Sequence, residues 1–373
     1  MFLHTKSLFD EFERLGVPSM DISVFHKGRE VFREIRGISD ENGTPVNGTE
    51  RYNIYSCSKP ITVTAALMLL EEGKIRLEDE LALYLPAFGD MRVKKAGGLV
   101  KAQKPITLFH LFTMTAGLNY DCASEAIARG KLETEGKAPT VEMMKYIAQI
   151  PLEFEPGARW EYSLCHDVLA AVVEVVSGKR FGSFVKERIF DPMGMKHTTF
   201  LLPDGELGTL AAQYRYDGKD FLNVGREIQY YKFGTEYESG GAGAVSTVDD
   251  YMCFLEGLRT HRLLKEDTLA LLTRDHLRDE QRSSCWVADG YGYGLGVRTP
   301  IARSPRTDFG WGGAAGAFLA IDPQNEISVY YAQHVLSSPN NNLRKDIIEA
   351  VKLDLGYPAF KESMWCGIGS TLA

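Results

Sequence analysis

Strand-forming and helix-forming segments occupy different parts of this chain, and that separation constrains the fold most. Near the N-terminus, two strand-type runs between Met20 and Gly37 flank a Lys27-Gly28 turn, which predicts a β-hairpin. Near the C-terminus, GAFLAIDPQNEISVYYAQH predicts a second hairpin and YGYGLGV another strand. Between about residues 80 and 235, helical patterns such as VEMMKYIAQI and CHDVLAAVVEVVSG dominate.

The simplest packing of these segments is an α/β (α+β) fold. Strands from both ends would pair in one antiparallel sheet flanked by helices, with an all-helical lobe inserted between them. We expect a discontinuous sheet lobe from residues 1–80 and 236–373, and a mainly helical lobe from residues 81–235. The length of 373 residues suits two lobes. A functional site is expected in the cleft between them.

Composition and charge exclude several classes of protein. The net charge is −8 without a lysine- or arginine-rich run, so no nucleic-acid partner is expected. No apolar stretch has membrane-spanning length, and the N-terminal segment MFLHTKSLFDEFERLG is an amphipathic helix pattern rather than an export signal. Six scattered cysteines without CxxC spacing indicate free thiols. We therefore predict a cytoplasmic protein without a membrane partner.

Familiar cofactor motifs are absent from the sequence. It has no GxGxxG, no GxxxxGK[ST], no HExxH and no GxSxG, and its eight histidines lack metal-ligand spacing. We therefore predict neither a metal nor an organic cofactor.

The pattern SxxK occurs twice, at Ser56-Cys57-Ser58-Lys59 and at Ser183-Phe184-Val185-Lys186. About one match is expected by chance in a chain of this length. The second lies in an amphipathic helix with other charges nearby, which favours a solvated lysine. The first opens a helix, ITVTAALMLLEEG, that is apolar nearly all round and is therefore predicted to be buried.

A buried lysine beside a serine has a specific chemical use. Positions i and i+3 share a helix face, so the side chains of Ser56 and Lys59 can meet. Burial disfavours the charged ammonium, and a neutral amine can accept the proton of a serine nucleophile. The alternatives for this pair are a helix cap or a solvated surface.

Seven sequence blocks in a fixed order carry a family resemblance: YSCSKPITVTAALMLLEEGKIRLEDEL, ITLFHLFTMTAGL, EFEPGARWEYSLCHDVLAAVVEVVSG, IFDPMGM, SGGAGAVSTVDDYMCF, YGYGLGV and GWGGAAGAFLAIDP. With them, residues 10 to 355 resemble the serine β-lactamase and penicillin-binding-protein superfamily. The class C-like branch that includes family VIII carboxylesterases is the most similar in motif pattern. The resemblance implies a sheet lobe and an all-helical lobe.

The resemblance also implies roles for the first two motifs. Ser56 would be the nucleophile and Lys59 its partner. The family's Tyr-x-Asn element falls on Tyr162-Ser163-Leu164, so Tyr162 would shuttle protons while leucine replaces the asparagine. A phenolate is favoured beside a cationic lysine, so whether Lys59 or Tyr162 takes the first proton stays open.

The third family element, usually Lys-Thr-Gly, matches Trp311-Gly312-Gly313. These residues would line the substrate site together with Leu164. The backbone N–H groups of Ser56 and Ala314 would form an oxyanion hole.

The predicted function is that of a serine hydrolase acting through an acyl-enzyme on a small-molecule ester or amide. Trp311 is neutral and Leu164 has no polar group, so a carboxylesterase for short-chain or neutral esters is favoured. The alternatives are a β-lactamase, a D-amino-acid peptidase or an acyltransferase of the same superfamily. A non-catalytic binding protein on this fold is the alternative from another class. The sequence predicts no particular oligomeric state.

Overall fold

A computed structural model describes residues 2–227, 230–287 and 290–359. Its strands, in chain order, are β1 (Ser19–His26), β2 (Arg29–Gly37), β3 (Tyr52–Asn53), β4 (Arg92–Lys95), β5 (Gly98–Lys101), β6 (Gln213–Tyr216), β7 (Phe221–Gly225), β8 (Val245–Ser246), β9 (Tyr291–Tyr293), β10 (Arg298–Pro300), β11 (Phe309–Gly312), β12 (Phe318–Asp322), β13 (Ile327–Ala332) and β14 (Val335–Leu336). Its α-helices are α1 (Leu3–Arg14), α2 (Ser58–Glu71), α3 (Leu108–Phe112), α4 (Glu125–Glu133), α5 (Thr140–Ile147), α6 (Cys165–Ser177), α7 (Phe181–Val185), α8 (Asp191–Met193), α9 (Val248–Arg259), α10 (Glu266–Thr273), α11 (Asp279–Arg282) and α12 (Ile347–Asp354).

Strands from both ends of the chain form one antiparallel sheet, as the sequence predicts. Its order is β2-β1-β13-β12-β11-β10-β9, and Ile22 of β1 lies opposite Tyr331 of β13. The β1–β2 hairpin turns at Lys27 and Gly28, whose φ angles are 54° and 75°. Two consecutive positive φ angles match the right-handed twist of the flanking strands, which explains the glycine.

Helices cover both faces of this sheet. On one face α1 and α12 pack on β1 and β13, with the ring of Phe9 stacked on that of Tyr331 at 5.5 Å between centroids. On the other face lies α9, where Ser328 Oγ of β13 donates a 2.6 Å hydrogen bond to Glu256. The sheet is therefore the middle layer of a three-layer packing.

The helix α2 lies inside the molecule. Every residue from Ser58 to Leu69 is buried, as its all-round apolar sequence predicts. A single hydrophobic cluster joins α2 and α6 with the inner face of the sheet, for example through Leu67, Val172 and Leu319. The first turn of α2 is thus held between the sheet and the helices of the middle segment.

The middle segment contains β-structure that the helical prediction omitted. Hairpins β4–β5 and β6–β7 turn at Ala96-Gly97 and at residues 217–220, and β14 pairs in parallel with β6. Their strands are only four or five residues long, too short for a clear alternating pattern. The division of the chain at residues 80 and 236 stays a prediction.

Two other elements are shorter than expected. The strand predicted over YGYGLGV ends at Tyr293, and the C-terminal helix begins at Ile347 rather than at Leu343. In the described part of the chain, no helix is long and apolar enough to cross a membrane.

Candidate active site

Ser56 lies in a tight turn directly before α2. The turn is a single 3-10 turn, Tyr55–Cys57, entered from β3. Tyr55 has a φ of 48°, a left-handed conformation that costs a bulky residue on the order of 1–3 kcal/mol. Its phenol donates a 2.6 Å hydrogen bond to Gln213 Oε1, which holds the ring in place. The neighbouring elements therefore fix the turn that carries the half-buried Ser56.

Lys59 is fully buried behind Ser56. Its Nζ lies 3.2 Å from Ser56 Oγ, 3.1 Å from Tyr120 Oη and 2.7 Å from the Gly241 carbonyl oxygen. Among the described residues, no carboxylate lies within ion-pair distance of this amine. Burial lowers the pKa of Lys59 to about 7, although the charge of Asp167 opposes the shift. A large fraction of the amine is therefore neutral near pH 7.

The ring of Tyr162 also packs against the Lys59 amine. The centroid of its ring is 4.5 Å from Lys59 Nζ, and its Oη accepts a 3.2 Å hydrogen bond from Trp311 Nε1. Burial raises the pKa of Tyr162, and hydrogen bonds with Ser56 and Trp311 only partly oppose this rise. Proximity to a cationic lysine favours a phenolate, but here the lysine is itself partly neutral and burial dominates. Tyr162 is therefore a protonated phenol near pH 7.

Most of the predicted site residues line one cavity. Its volume is about 350 Å³, and the predicted residues on its wall are Ser56, Tyr162, Trp311, Gly312, Gly313 and Ala314. A methyl group on Gly313 would lie only 2.4 Å from the carbonyl oxygen of Ile54. Only glycine lets the end of β11 come this close to the Ser56 turn, and this brings Ala314 beside the serine.

Leu164 is not among the residues on the wall of that cavity. It is the N-cap residue of α6, is 2% exposed and belongs to the main hydrophobic cluster. Its N–H donates a 3.1 Å hydrogen bond to the carbonyl oxygen of Asn119. The structure therefore brings Tyr162 to the cavity wall and turns Leu164 into the core.

Sequence reasoning missed several residues around the site. Tyr120 and Gly241 contact the Lys59 amine, as described above, and the exposed ring of Trp286 packs edge-on against Tyr162. Both Tyr120 and Gly241 lie within or just after quoted family blocks, which was a usable signal. Trp286 lies in a loop segment without a recognisable pattern.

Arg344 is another missed residue, and its guanidinium contacts the glycine edge. Its Nη1 donates to the carbonyl oxygens of Gly313 at 3.1 Å and Ala317 at 3.0 Å, and its Nη2 donates to Asn341 Oδ1 at 2.9 Å. Burial lowers its pKa. Arg344 thus braces the strand edge and also lines the cavity.

A second cavity, of about 510 Å³, meets the first at Ala314. Its wall is more polar and includes Gln213 and Arg215, with Tyr231 shared between the two cavities. A group bound at Ser56 and Ala314 therefore has space on two sides.

Among the described residues, no group of three or more His, Cys, Asp or Glu side chains is placed to hold a metal ion. The chemistry available at the cavity comes from a serine hydroxyl, a partly neutral amine and a phenol. On this mixed α/β fold, these features define a serine hydrolase.

The chain belongs to the Beta-lactamase family, whose model matches residues 6–352. It is 30% identical to Protein Rv1367c of Mycobacterium tuberculosis over 319 residues, which is 78% of this chain and 79% of that protein. It is 28% identical to Esterase EstB of Burkholderia gladioli over 352 residues, or 85% and 86% of the two chains. The resemblance found in the sequence is thereby confirmed.

A solved structure with the same fold is that of EstCE1, described as a hydrolase with promiscuous acyltransferase activity. It superimposes with a TM-score of 0.76 at 26% sequence identity, covering 93% of this chain and 99% of EstCE1.

Proposed function

We propose that this protein is a carboxylesterase that cleaves short-chain, neutral esters through an acyl-enzyme on Ser56. The observation that carries the proposal is the 3.2 Å separation between Ser56 Oγ and the buried amine of Lys59. The similarity to Esterase EstB and to the hydrolase EstCE1 supports ester cleavage.

Acylation begins with proton transfer from Ser56 to Lys59. The neutral amine accepts the hydroxyl proton while Oγ forms a bond to the ester carbonyl carbon. Negative charge then develops on the carbonyl oxygen, where the N–H groups of Ser56 and Ala314 act as donors. Removing one such donor in other hydrolases costs about 3–4 kcal/mol of transition-state stabilisation.

Collapse of the tetrahedral intermediate breaks the bond between the carbonyl carbon and the alkoxy oxygen. The leaving alcohol needs a proton, and the phenol of Tyr162 is the donor suited to this step because burial keeps it protonated. The Lys59 ammonium, which lies over the Tyr162 ring, then transfers the proton that it took from Ser56 to the Tyr162 phenolate, so that both groups regain their starting protonation. Deacylation repeats these transfers with water as the nucleophile, and the carboxylic acid leaves.

The cavity wall favours a neutral acyl or alcohol group. Tyr162, Trp286 and Trp311 present aromatic rings, whose centroids lie 5.5–5.7 Å apart for each pair that includes Trp286. An apolar group gains by packing on such rings. A carboxylate and an amide on the substrate would find neither the lysine nor the asparagine of the usual motifs. Each unpaired polar group costs about 1–3 kcal/mol.

The cation of Arg344 favours the second candidate, a β-lactamase or D-amino-acid peptidase whose substrate carries a carboxylate. Three of its N–H groups already donate to Gly313, Ala317 and Asn341, which limits what a substrate carboxylate can receive. We therefore rank the neutral ester first.

The experiment that separates the two candidates compares two substrates on one preparation. We expect a high kcat/KM for p-nitrophenyl butyrate and little or no turnover of nitrocefin. A larger kcat/KM for nitrocefin would replace the esterase proposal with a β-lactamase. Absence of turnover and of fluorophosphonate labelling together would favour a non-catalytic binding protein.

We also propose that the protein works in the cytoplasm. In the described part of the chain, Cys57, Cys122, Cys165, Cys253 and Cys285 are free thiols, which suits a reducing compartment. Cys366 lies outside the described residues. Fractionation of cells followed by immunoblotting tests this proposal, and detection only in an exported fraction would contradict it.

A further inference from the structure

Asp167 is a buried carboxylate near the site that the mechanism above does not use. It lies in the first turn of α6 and is 1% exposed. Its Oδ1 accepts hydrogen bonds from Ser239 Oγ at 2.6 Å and from Tyr237 Oη at 3.1 Å. No arginine or lysine of the described residues lies within ion-pair distance of it.

Burial raises the pKa of Asp167, whereas the hydrogen bond from Ser239 and the nearby Lys59 oppose this rise and favour the carboxylate. Ser239 Oγ accepts the N–H of Ala242 at 3.0 Å, so its own hydrogen is free to point toward Asp167. Among the described residues, Oδ2 has no hydrogen-bond partner. A proton on Oδ2 would have no partner, so the pattern suits a carboxylate.

The segment from Ser239 to Gly243 connects Asp167 with the first turn of α2. Its Gly241 carbonyl oxygen accepts the 2.7 Å hydrogen bond from Lys59, and its Gly240 carbonyl oxygen accepts a 2.7 Å bond from Thr62 Oγ1. Asp167 thus contacts one end of this segment, and Lys59 contacts its middle.

The two glycines of the segment pack too closely on α6 to carry a side chain. A methyl group on Gly241 would lie 2.3 Å from Asp167 Oδ2, and one on Gly240 would lie 2.5 Å from the carbonyl oxygen of His166. Only glycine fits at both positions. A change at Asp167 is therefore transmitted to the Gly241 carbonyl and to the amine that it holds.

We propose that Asp167 is a positioning residue for acylation, which fixes the Gly241 carbonyl against Lys59 and whose negative charge sets the protonation of that amine. This inference rests on the proposed function. Asp167 touches neither the cavity nor the reacting atoms, so it acts only through Lys59.

The other groups around Lys59 do not supply this charge. Burial is the main cause that lowers the pKa of Lys59, and Asp167 is the strongest cause that opposes it. The thiols of Cys57, Cys122 and Cys165 also act to raise the pKa of Lys59, but more weakly than Asp167 does. The pKa values of these thiols are raised by burial, so they are neutral near pH 7.

The remaining neighbours are also uncharged near pH 7. Burial raises the pKa of Tyr120 and of Tyr162, and it lowers that of His166 to about 3, so the phenols and the imidazole are neutral. Ionised Asp167 is therefore the main negative charge that favours the Lys59 ammonium.

The test is Asp167→Asn, measured on the full-length protein with a fluorophosphonate probe and with p-nitrophenyl butyrate. Loss of the negative charge disfavours the Lys59 ammonium, so the acid limb of the rate–pH profile should move to lower pH by about one unit. The rate on the alkaline plateau should fall about tenfold because the weaker base accepts the proton less readily. KM should stay within about twofold, since no cavity group is changed.

Two variants separate positioning from a structural role. Asp250→Asn removes a second buried carboxylate, which accepts bonds from His197 N at 2.6 Å and Thr198 Oγ1 at 2.9 Å, outside the site. It should lower the melting temperature without moving the acid limb. Ser239→Ala keeps the Asp167 charge but removes its bond to the segment, and should lower kcat several-fold with KM unchanged.

A folded Asp167→Asn protein whose acid limb stays in place would overturn the inference. If Asp167→Asn does not fold, the activity of Ser239→Ala tests the inference instead. Full activity in that variant would also overturn the inference. Failure of the wild-type protein to react with the probe would instead overturn the proposed function itself.

Discussion

The two SxxK segments carry the same four-residue pattern in different surroundings. Ser56 and Lys59 stand at the start of the buried helix α2, where the amine meets a hydroxyl, a phenol and a carbonyl oxygen. Ser183 and Lys186 lie where α7 passes into a short π-helix, and both are exposed. The ammonium of Lys186 pairs with the exposed carboxylate of Asp191. The pattern alone therefore does not make a lysine a candidate base; burial without a carboxylate partner is also required.

A third lysine shows that burial by itself is also insufficient. Lys352 in α12 is 4% exposed, but its Nζ lies 2.8 Å from Asp322 Oδ2 and 4.0 Å from Asp308 Oδ1. Two carboxylates thus pair with the Lys352 amine, whereas in the described part of the chain Lys59 has no carboxylate within that distance. The first is suited to a structural role and the second to proton transfer.

The largest effect expected from this comparison is that of Ser56→Ala. Without the hydroxyl no acyl-enzyme forms, and p-nitrophenyl butyrate hydrolysis should fall to the uncatalysed background. Ser183→Ala is the matched control and should keep full activity. Equal losses in the two variants would show that the first pattern has no special role.

Lys59→Ala and Tyr162→Phe should each lower kcat by about 10²–10⁴-fold, the range for general acid–base groups. Because both residues share one proton-transfer step, the double variant should be little worse than either single one. Lys186→Ala, the control from the other segment, should change kcat less than twofold. Multiplying losses in folded single and double variants would mean that Lys59 and Tyr162 act independently.

The pH dependence of kcat/KM provides a smaller but direct test. The active form requires neutral Lys59, whose pKa is about 7, so kcat/KM should rise from pH 5 to 8 and then level off. Tyr162 does not limit this range because burial raises its pKa. A profile that is flat across pH 7, or that falls as the pH rises, would contradict a neutral amine as the base.

Lys352→Met should have the smallest effect on the chemistry. It leaves Asp322 and Asp308 buried near an apolar side chain, so the free energy of unfolding should fall by about 3–5 kcal/mol. Activity per folded molecule should persist, because the residue lies in α12 and not at the cavity. Urea unfolding and active-site titration measure the two quantities. A kcat loss comparable to that of Lys59→Ala would remove the distinction between the two lysines.

Much of the fold was predictable because its signals are local. The Lys27-Gly28 turn, the apolar sequence of α2 and the pattern CHDVLAAVVEVVSG each determine an element within a few residues. The hairpins β4–β5 and β6–β7 were missed because short, mostly exposed strands lack alternation.

The placement of candidate site residues was predictable where a motif marks them, as for the contact of Ser56 with Lys59 and for Trp311 on the cavity wall. The site was not predictable where tertiary packing determines the position of a side chain. Three features depend on segments far apart in the chain: the burial of Leu164, the hydrogen bond from Arg344 to Gly313, and the contact of Gly241 with Lys59. The protonation of Tyr162 likewise follows from burial, which no motif records.

The central claim is that the buried surroundings of the first segment make Ser56 the reactive serine. The most direct measurement is peptide mapping after labelling with a fluorophosphonate probe. We expect one labelled peptide, with the modification on Ser56. Labelling should disappear in Ser56→Ala and should be strongly slowed in Lys59→Ala. Modification of Ser58 or Ser183, or labelling that persists in Ser56→Ala, would contradict it.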